Sequence, residues 1–202
     1  MKKLIPILLI ILTLLCGCGC DSNKEKTPKL SKSIGDMEVM LDNQVISLTD
    51  KLSFNDLEKM GFTPTSDYKP ALEEKLAPSK DINSLKNVSV NMETKSKKIF
   101  TVSAVNLGDK DKKVKDCTIY FISSGSAEEY DHTYSLPSKV AYNDTDKEII
   151  KKIGKPNIDL RDVDFGKMMQ YLFDNGTFTA NLDNDMKMNA FSYSLNEKIL
   201  FG

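Results

Sequence analysis

Thr145-Asp-Lys-Glu-Ile-Ile-Lys-Lys-Ile-Gly-Lys-Pro156 reads as one short, fully punctuated helix. Thr145 and Glu148 stand at the spacing of a capping box, in which each side chain satisfies a backbone N–H of the other residue. Ile149, Ile150 and Ile153 form an apolar face. Gly154 ends the helix and Pro156 prevents its resumption. The same grammar occurs earlier in Ser53-Phe-Asn-Asp-Leu-Glu-Lys-Met-Gly61. There Ser53 caps and Asp56 answers it. Phe54, Leu57 and Met60 share a face, and Gly61 supplies a left-handed position after the helix.

Each helix leads into strand-like sequence. After the first, Asp67 to Leu85 is polar and expected to be irregular. Val88, Val90 and Met92 then alternate with polar neighbours, as do Phe100, Val102 and Ala104. Asn106 to Asp111, with Gly108, is a turn. The next strand is expected to put Cys117, Ile119 and Phe121 on one face. After the second helix Met169, Tyr171 and Phe173 alternate, and Asp174-Asn-Gly176 is a hairpin turn. Phe178, Ala180 and Leu182 come next, then a turn at Asp183-Asn-Asp185. Phe191, Tyr193 and Leu195 alternate with Ser192 and Ser194. Asn196-Glu197 is read as a turn into a last edge, Ile199-Leu200-Phe201. Alternation of this kind implies antiparallel sheets with one covered face and one wetter face.

The expected fold is therefore α+β: two tandem modules, each a short helix packed on an antiparallel sheet. The first module is set at residues 36–126 and the second at 127–202, joined near Ser123-Ser-Gly-Ser126. The stretches Leu57-Glu-Lys-Met-Gly-Phe62, Val105-Asn-Leu107 and Lys113-Val-Lys-Asp-Cys-Thr-Ile119 carry a family likeness, as do Leu136-Pro-Ser-Lys-Val140, Ile153-Gly-Lys-Pro156 and Met169 to Asp174. Across residues 36–202 the chain resembles the group that holds the β-lactamase inhibitory protein and the small envelope lipoproteins of the BamE/SmpA type. Within it, the likeness is to secreted Gram-positive lipoproteins that pair two such modules. That resemblance implies a helix-and-sheet module used twice. The group has no agreed catalytic residues, so the resemblance implies none here.

The amino terminus has a separate grammar. Met1-Lys-Lys3 is a short positive segment, and Leu4 to Leu15 is apolar apart from Pro6 and Thr13. A run of that length spans about 18 Å as a helix, short of the roughly 30 Å hydrocarbon core, which favours a signal peptide. Leu15-Cys-Gly-Cys18 resembles a bacterial lipobox. Residues 1–17 are thus expected to be cleaved and residues 18–35 to be a lipidated cysteine and flexible linker. Cys18 would carry the S-diacylglycerol and, after cleavage, the N-acyl group; Cys20 is the alternative. Two acyl chains anchor durably where one does not. The linker, Asp21 to Lys32, is polar, lysine-rich and contains Pro28.

Composition narrows the function. The 28 basic and 29 acidic residues give a formal charge of −1, and nucleic-acid binders normally show a basic excess. Loss of Lys2 and Lys3 with the signal peptide would take the charge to −3, so acylation rather than lipid headgroup charge would hold the protein at a membrane. There is one histidine, no tryptophan and a single arginine, Arg161. None of the motifs GxSxG, HExxH, GxxxxGK[ST], GxGxxG or CxxC occurs. No catalytic, metal or cofactor-binding residue is assigned.

The weaker constellations have plain explanations. Asp131-His132 sits in a polar context and is expected to be a solvated connector. Asp183 to Asn189 departs from a calcium loop, with Lys187 at a ligand position and no closing glutamate. Asp159, Asp162 and Asp164 around Arg161 are expected to form a solvated loop. Lys110, Lys112, Lys113 and Lys115 read as a basic strand edge that discourages sheet-to-sheet pairing, with contact to teichoic-acid or phospholipid phosphate as the alternative. Met168, Met169, Met186 and Met188 read as core filling, with an adaptable binding surface as the alternative. Cys117 reads as a buried strand residue, with a Cys20–Cys117 bridge or a reactive thiol as the alternative.

The expected function is a membrane-anchored, extracytoplasmic lipoprotein without enzymatic activity. Its partners would be membrane lipid through Cys18 and an envelope protein or cell-wall polymer through its sheets. A small-ligand-binding lipoprotein is the alternative, and a carboxylate-dependent envelope hydrolase a more distant one.

Overall fold

The computed structural model describes residues 29–162 and 166–202. The expected signal peptide, Cys18, Cys20 and Asp164 lie outside the described residues. The architecture is α+β with few helices. A hairpin of β1 (Glu38–Leu41) and β2 (Gln44–Ser47) precedes helix α1 (Phe54–Lys59) and the two-residue strand β3 (Thr63–Pro64). A short ladder pairs β4 (Lys75–Leu76) with β7 (Lys112–Lys113). Between them run β5 (Asn87–Glu93) and β6 (Ile99–Val105), and β8 (Thr118–Ser124) comes after. Helix α2 (Asp146–Ile153) leads into β9 (Ile158–Asp162), β10 (Gly166–Leu172), β11 (Gly176–Leu182) and β12 (Met188–Leu195), and α3 (Glu197–Phe201) ends the chain.

Eight of these strands form one sheet in the order β3-β5-β6-β8-β12-β11-β10-β9. Every pairing in it is antiparallel. The order has a mirror quality: in each half the earliest strand is outermost and the last is central. The halves meet where β8 pairs with β12, Phe191 opposite Ser124 and Ser194 opposite Phe121. Ser123 and Ser124 thus lie within a central strand, and the sheet runs without a break across the 126/127 boundary.

Both capping boxes form. Ser53 and Asp56 exchange bonds at the start of α1, as do Thr145 and Glu148 at the start of α2. Gly61 takes φ 94°, a left-handed value that favours glycine. One side of the sheet is buried. Val90, Met92, Phe100, Val102, Ile122, Tyr193, Phe178, Ala180 and Met169 share a single core with Phe54 and Leu57 of α1, Ile149 of α2 and Val39, Leu41 and Ile46 of the hairpin. Edge-to-face contacts of Phe62 with Phe100 at 5.2 Å and Tyr134 with Phe191 at 4.5 Å lock the covering layer onto the strands.

Four expectations change. Residues 67–85 are not irregular throughout: they hold 3-10 turns at Pro70–Glu73 and Ile82–Ser84 besides β4. Ile199-Leu200-Phe201 is helical, because the Asn196 side chain accepts from Ile199 N at 3.0 Å and caps a turn of helix instead of opening a strand. Phe121 does not share a face with Ile119. A bulge shifts the register between Ser103 and Ala104, so Ile119 and Ile122 point inward and Phe121 outward. Ile158–Asp162 is a paired edge strand rather than a loop, its residues matched to β10 from Gly166 to Gln170.

Candidate interaction surface

Strand alternation fixes what the second face of the sheet displays. From β6 it presents Thr101 and Ser103, from β8 Phe121 and Ser123, and from β12 Ser192 and Ser194. From β11 it presents Thr177, Thr179 and Asn181, and from β10 Met168, Gln170 and Leu172. β5 adds Ser89 and Asn91, with Glu93 at its end. Among the described residues, no charged side chain lies on this face across the five adjacent strands from β6 to β10, although 28% of the chain is charged. Most of these residues are half-buried, as expected of short side chains crowded only by their sheet neighbours. Ser103 and Thr179 are nearly buried within that lattice.

At its β5–β6 end the face is held by its own hydrogen bonds. The Ser89 and Ser103 hydroxyls pair at 2.8 Å, and Thr101 Oγ1 donates to Asn91 Oδ1 at 2.8 Å. Such cross-strand pairs fix hydroxyl and amide groups in place. Phe121 stands near the centre, flanked by Ser103 on one side and Ser194 on the other. At the end marked by Val105 and Thr118 lies an open depression of about 930 Å³, lined by Lys51, Pro78, Lys80, Leu107, Thr118 and Phe201 among others.

The residues singled out by sequence are scattered. Cys117 is buried in front of β8, its Sγ donating to Lys113 O at 3.3 Å, and burial pushes the thiol above its ordinary range. The lysine cluster is not on an edge of the main sheet. Lys112 and Lys113 belong to the separate β4–β7 ladder, and Lys113 and Lys115 both bond Glu73 at 2.7 and 2.6 Å. Those bonds, Lys113 first, hold the Glu73 carboxyl down to about 2. Asp159 pairs with Lys167 at 3.1 Å, and Lys167 also reaches Asp146 at 3.1 Å. The Asp183 segment is a turn in which Asp183 Oδ1 accepts from Lys187 N at 3.0 Å. Met169 and Met188 are core; Met168 lies on the open face and Met186 is half-buried.

Asp131-His132 is not a solvated connector. Asp131 is fully buried, its Oδ1 accepting from Thr133 N at 2.7 Å and Thr133 Oγ1 at 2.6 Å. His132 stacks on Tyr142 with ring centroids 4.3 Å apart. The polar neighbours suggest solvent, but Asp131 N donates to Ile99 O at 2.8 Å and Ser124 Oγ donates to Asp131 O at 2.7 Å, which draws the segment against β6 and β8. Among the described residues, no group of three or more His, Cys, Asp or Glu is placed to hold a metal ion. No described helix is long and apolar enough to cross a membrane.

In the sequence Ser192 and Ser194 show as the polar side of one strand, but the charge-free face they help to build does not show. Its signal is the run of Ser, Thr and Asn at alternate positions in 87–105 and 177–194, which becomes a surface only once strand order is known. No protein-family model, curated protein or solved structure matches the chain.

Proposed function

We propose that the chain is a lipid-anchored, extracytoplasmic binding protein of the cell envelope that acts without catalysis through the open face of its sheet. Acylation at Cys18 holds it to the membrane, and two helix-and-sheet modules, related as in the lipoproteins it resembles, supply the two halves of that face. The observation that carries this reading is the absence of charge, among the described residues, from five adjacent strands of the open face. Interface centres are depleted of charged residues, because burying a charge without a partner is costly. A face meant only to be wetted has no such constraint. The mirrored strand order supports the paired modules. The partner is an envelope protein or cell-wall polymer with a broad, uncharged polar surface.

The test is capture from solubilised envelopes by the full chain and by its Ser192→Arg form. Arginine at this position forces an unpaired charge into the contact and lowers capture at least about tenfold. Equal capture by both forms would remove the open face from this role.

A small-ligand reading has one observation in its favour, the depression of about 930 Å³ beside Thr118 and Phe201. A ligand there would raise the melting temperature in proportion to the logarithm of its concentration, and Ser192→Arg would leave that shift intact.

A further inference from the structure

The two edges of the sheet differ in kind. At one end β3 is two residues long and contains Pro64, a short and blunted edge. At the other, β9 runs five residues from Ile158 to Asp162 with neither proline nor lysine, its charges being Asp159, Arg161 and Asp162. Exposed edges are usually blunted, because their unpaired N–H and C=O groups recruit other strands. β9 also carries exposed apolar side chains: Leu160 is 56% exposed, and Leu172, on the same face of β10, is 53% exposed. Met168, opposite Leu160, extends that patch.

We propose that β9 is a self-association edge, pairing antiparallel with β9 of a second copy about a two-fold axis through Leu160. The register that uses all five residues of the strand sets Leu160 against Leu160 of the partner subunit. It also sets Asp159 against Arg161 of the partner subunit, and Arg161 against the partner's Asp159. Paired residues in antiparallel strands project to the same side, so both charge pairs are brought together on one side and both leucines on the other. The chain's single arginine thus stands two residues from the acid that complements it across the dyad. Within its own sheet Arg161 faces Lys167, a like charge, whereas the second copy supplies a carboxylate. Asp159 then lies between Lys167 of its own chain, already 3.1 Å away, and the partner's Arg161. An isologous contact of this kind closes on itself as a dimer and does not propagate, because each copy uses up the long open edge of its main sheet. The inference stands on the sheet edge and is independent of the open-face reading.

The test uses the purified full chain in detergent with a photo-crosslinking residue at position 160. Irradiation yields an adduct of twice the chain mass, joined between two β9 strands. Arg161→Asp and Asp159→Arg each place like charges opposite one another twice over, and each lowers adduct yield about tenfold. Mixing the two variants restores the yield as a heterodimer, because each then carries the charges that the other lacks. A fold defect would not be repaired by mixing. The proposal fails if the chain stays monomeric, if the adduct joins other segments, if Arg161→Asp cross-links as the unaltered chain does, or if the mixture shows no recovery.

Discussion

Cys18→Ala is expected to abolish incorporation of labelled lipid into the chain and to release or mislocalise it. The expected effect is all-or-none, because the chemistry requires a thiol at that position. A diacylglycerol thioether has no substitute in alanine, and cleavage ahead of the modified cysteine depends on the modification. Each buried methylene contributes about 0.8 kcal/mol to membrane attachment. The uncleaved chain keeps the apolar run Leu4–Leu15, which is too short to span a bilayer, and a net charge near zero gives little attraction to anionic headgroups. Metabolic labelling with a fatty-acid probe, followed by fractionation, reads both outcomes. Label retained in Cys18→Ala and lost in Cys20→Ala would move the anchor to Cys20. Label retained in both would refute the lipobox reading.

Alkali unfolds the protein steeply above pH 10. Three tyrosines lie in the core: Tyr134, Tyr171 and Tyr193 are 4%, 2% and 0% exposed. Burial pushes Tyr171 up to about 12 and raises Tyr134 and Tyr193 as well. In the folded state these phenols keep protons that the unfolded chain releases near pH 10. Stability therefore falls as the pH rises through that value, each phenol contributing about 1.4 kcal/mol per pH unit until its folded value is reached. One unit above pH 10, Tyr171 alone removes about 1.4 kcal/mol and Tyr134 and Tyr193 add to that loss, against the 5–15 kcal/mol typical of a domain. Circular dichroism is expected to show a cooperative loss of structure between about pH 10.5 and 12. Tyrosinate absorbance of the buried phenols should appear in the same step. Tyr171→Phe moves the midpoint upward. Smooth tyrosinate titration near pH 10 with the sheet intact would contradict the burial of these rings.

The local elements are legible in the chain because their determinants are local. Ser53 with Asp56 and Thr145 with Glu148 specify helix starts within four residues, and Asp174-Asn-Gly176 specifies a hairpin within three. The alternation at Val88–Met92 and Phe191–Leu195 likewise predicts the buried face. Non-local features are hidden. The bulge at Tyr120 arises from matching β8 to β6, and nothing between Cys117 and Ile122 announces it. Strand order places β12 beside β8, a pairing of residues some 70 positions apart in the chain, and without it the open face cannot be assembled. Other signals are present and outweighed. In β9 the charges of Asp159, Arg161 and Asp162 mask the alternation of Ile158 and Leu160. The aliphatic character of Ile199 to Phe201 suggests a strand where the Asn196 cap dictates helix. The β1–β2 hairpin has only a faint signal, Asp42-Asn43 at its turn, both residues at positive φ. Asp131 is the sharpest case: a carboxylate among polar neighbours gives no hint of burial, which depends on the bonds of its backbone to Ile99 and Ser124.

An anchored protein of this kind is proposed to meet its partner through the open face of the sheet. A photo-crosslinking residue placed at Ser192, in full-length protein within intact cells, tests this most directly against one at Lys147 on the exposed side of α2. The expected result is a discrete adduct from position 192, distinct in mass from a self-dimer, that is lost when Ser123→Arg is added and is absent from position 147. Adducts from position 147 with none from position 192 would contradict it.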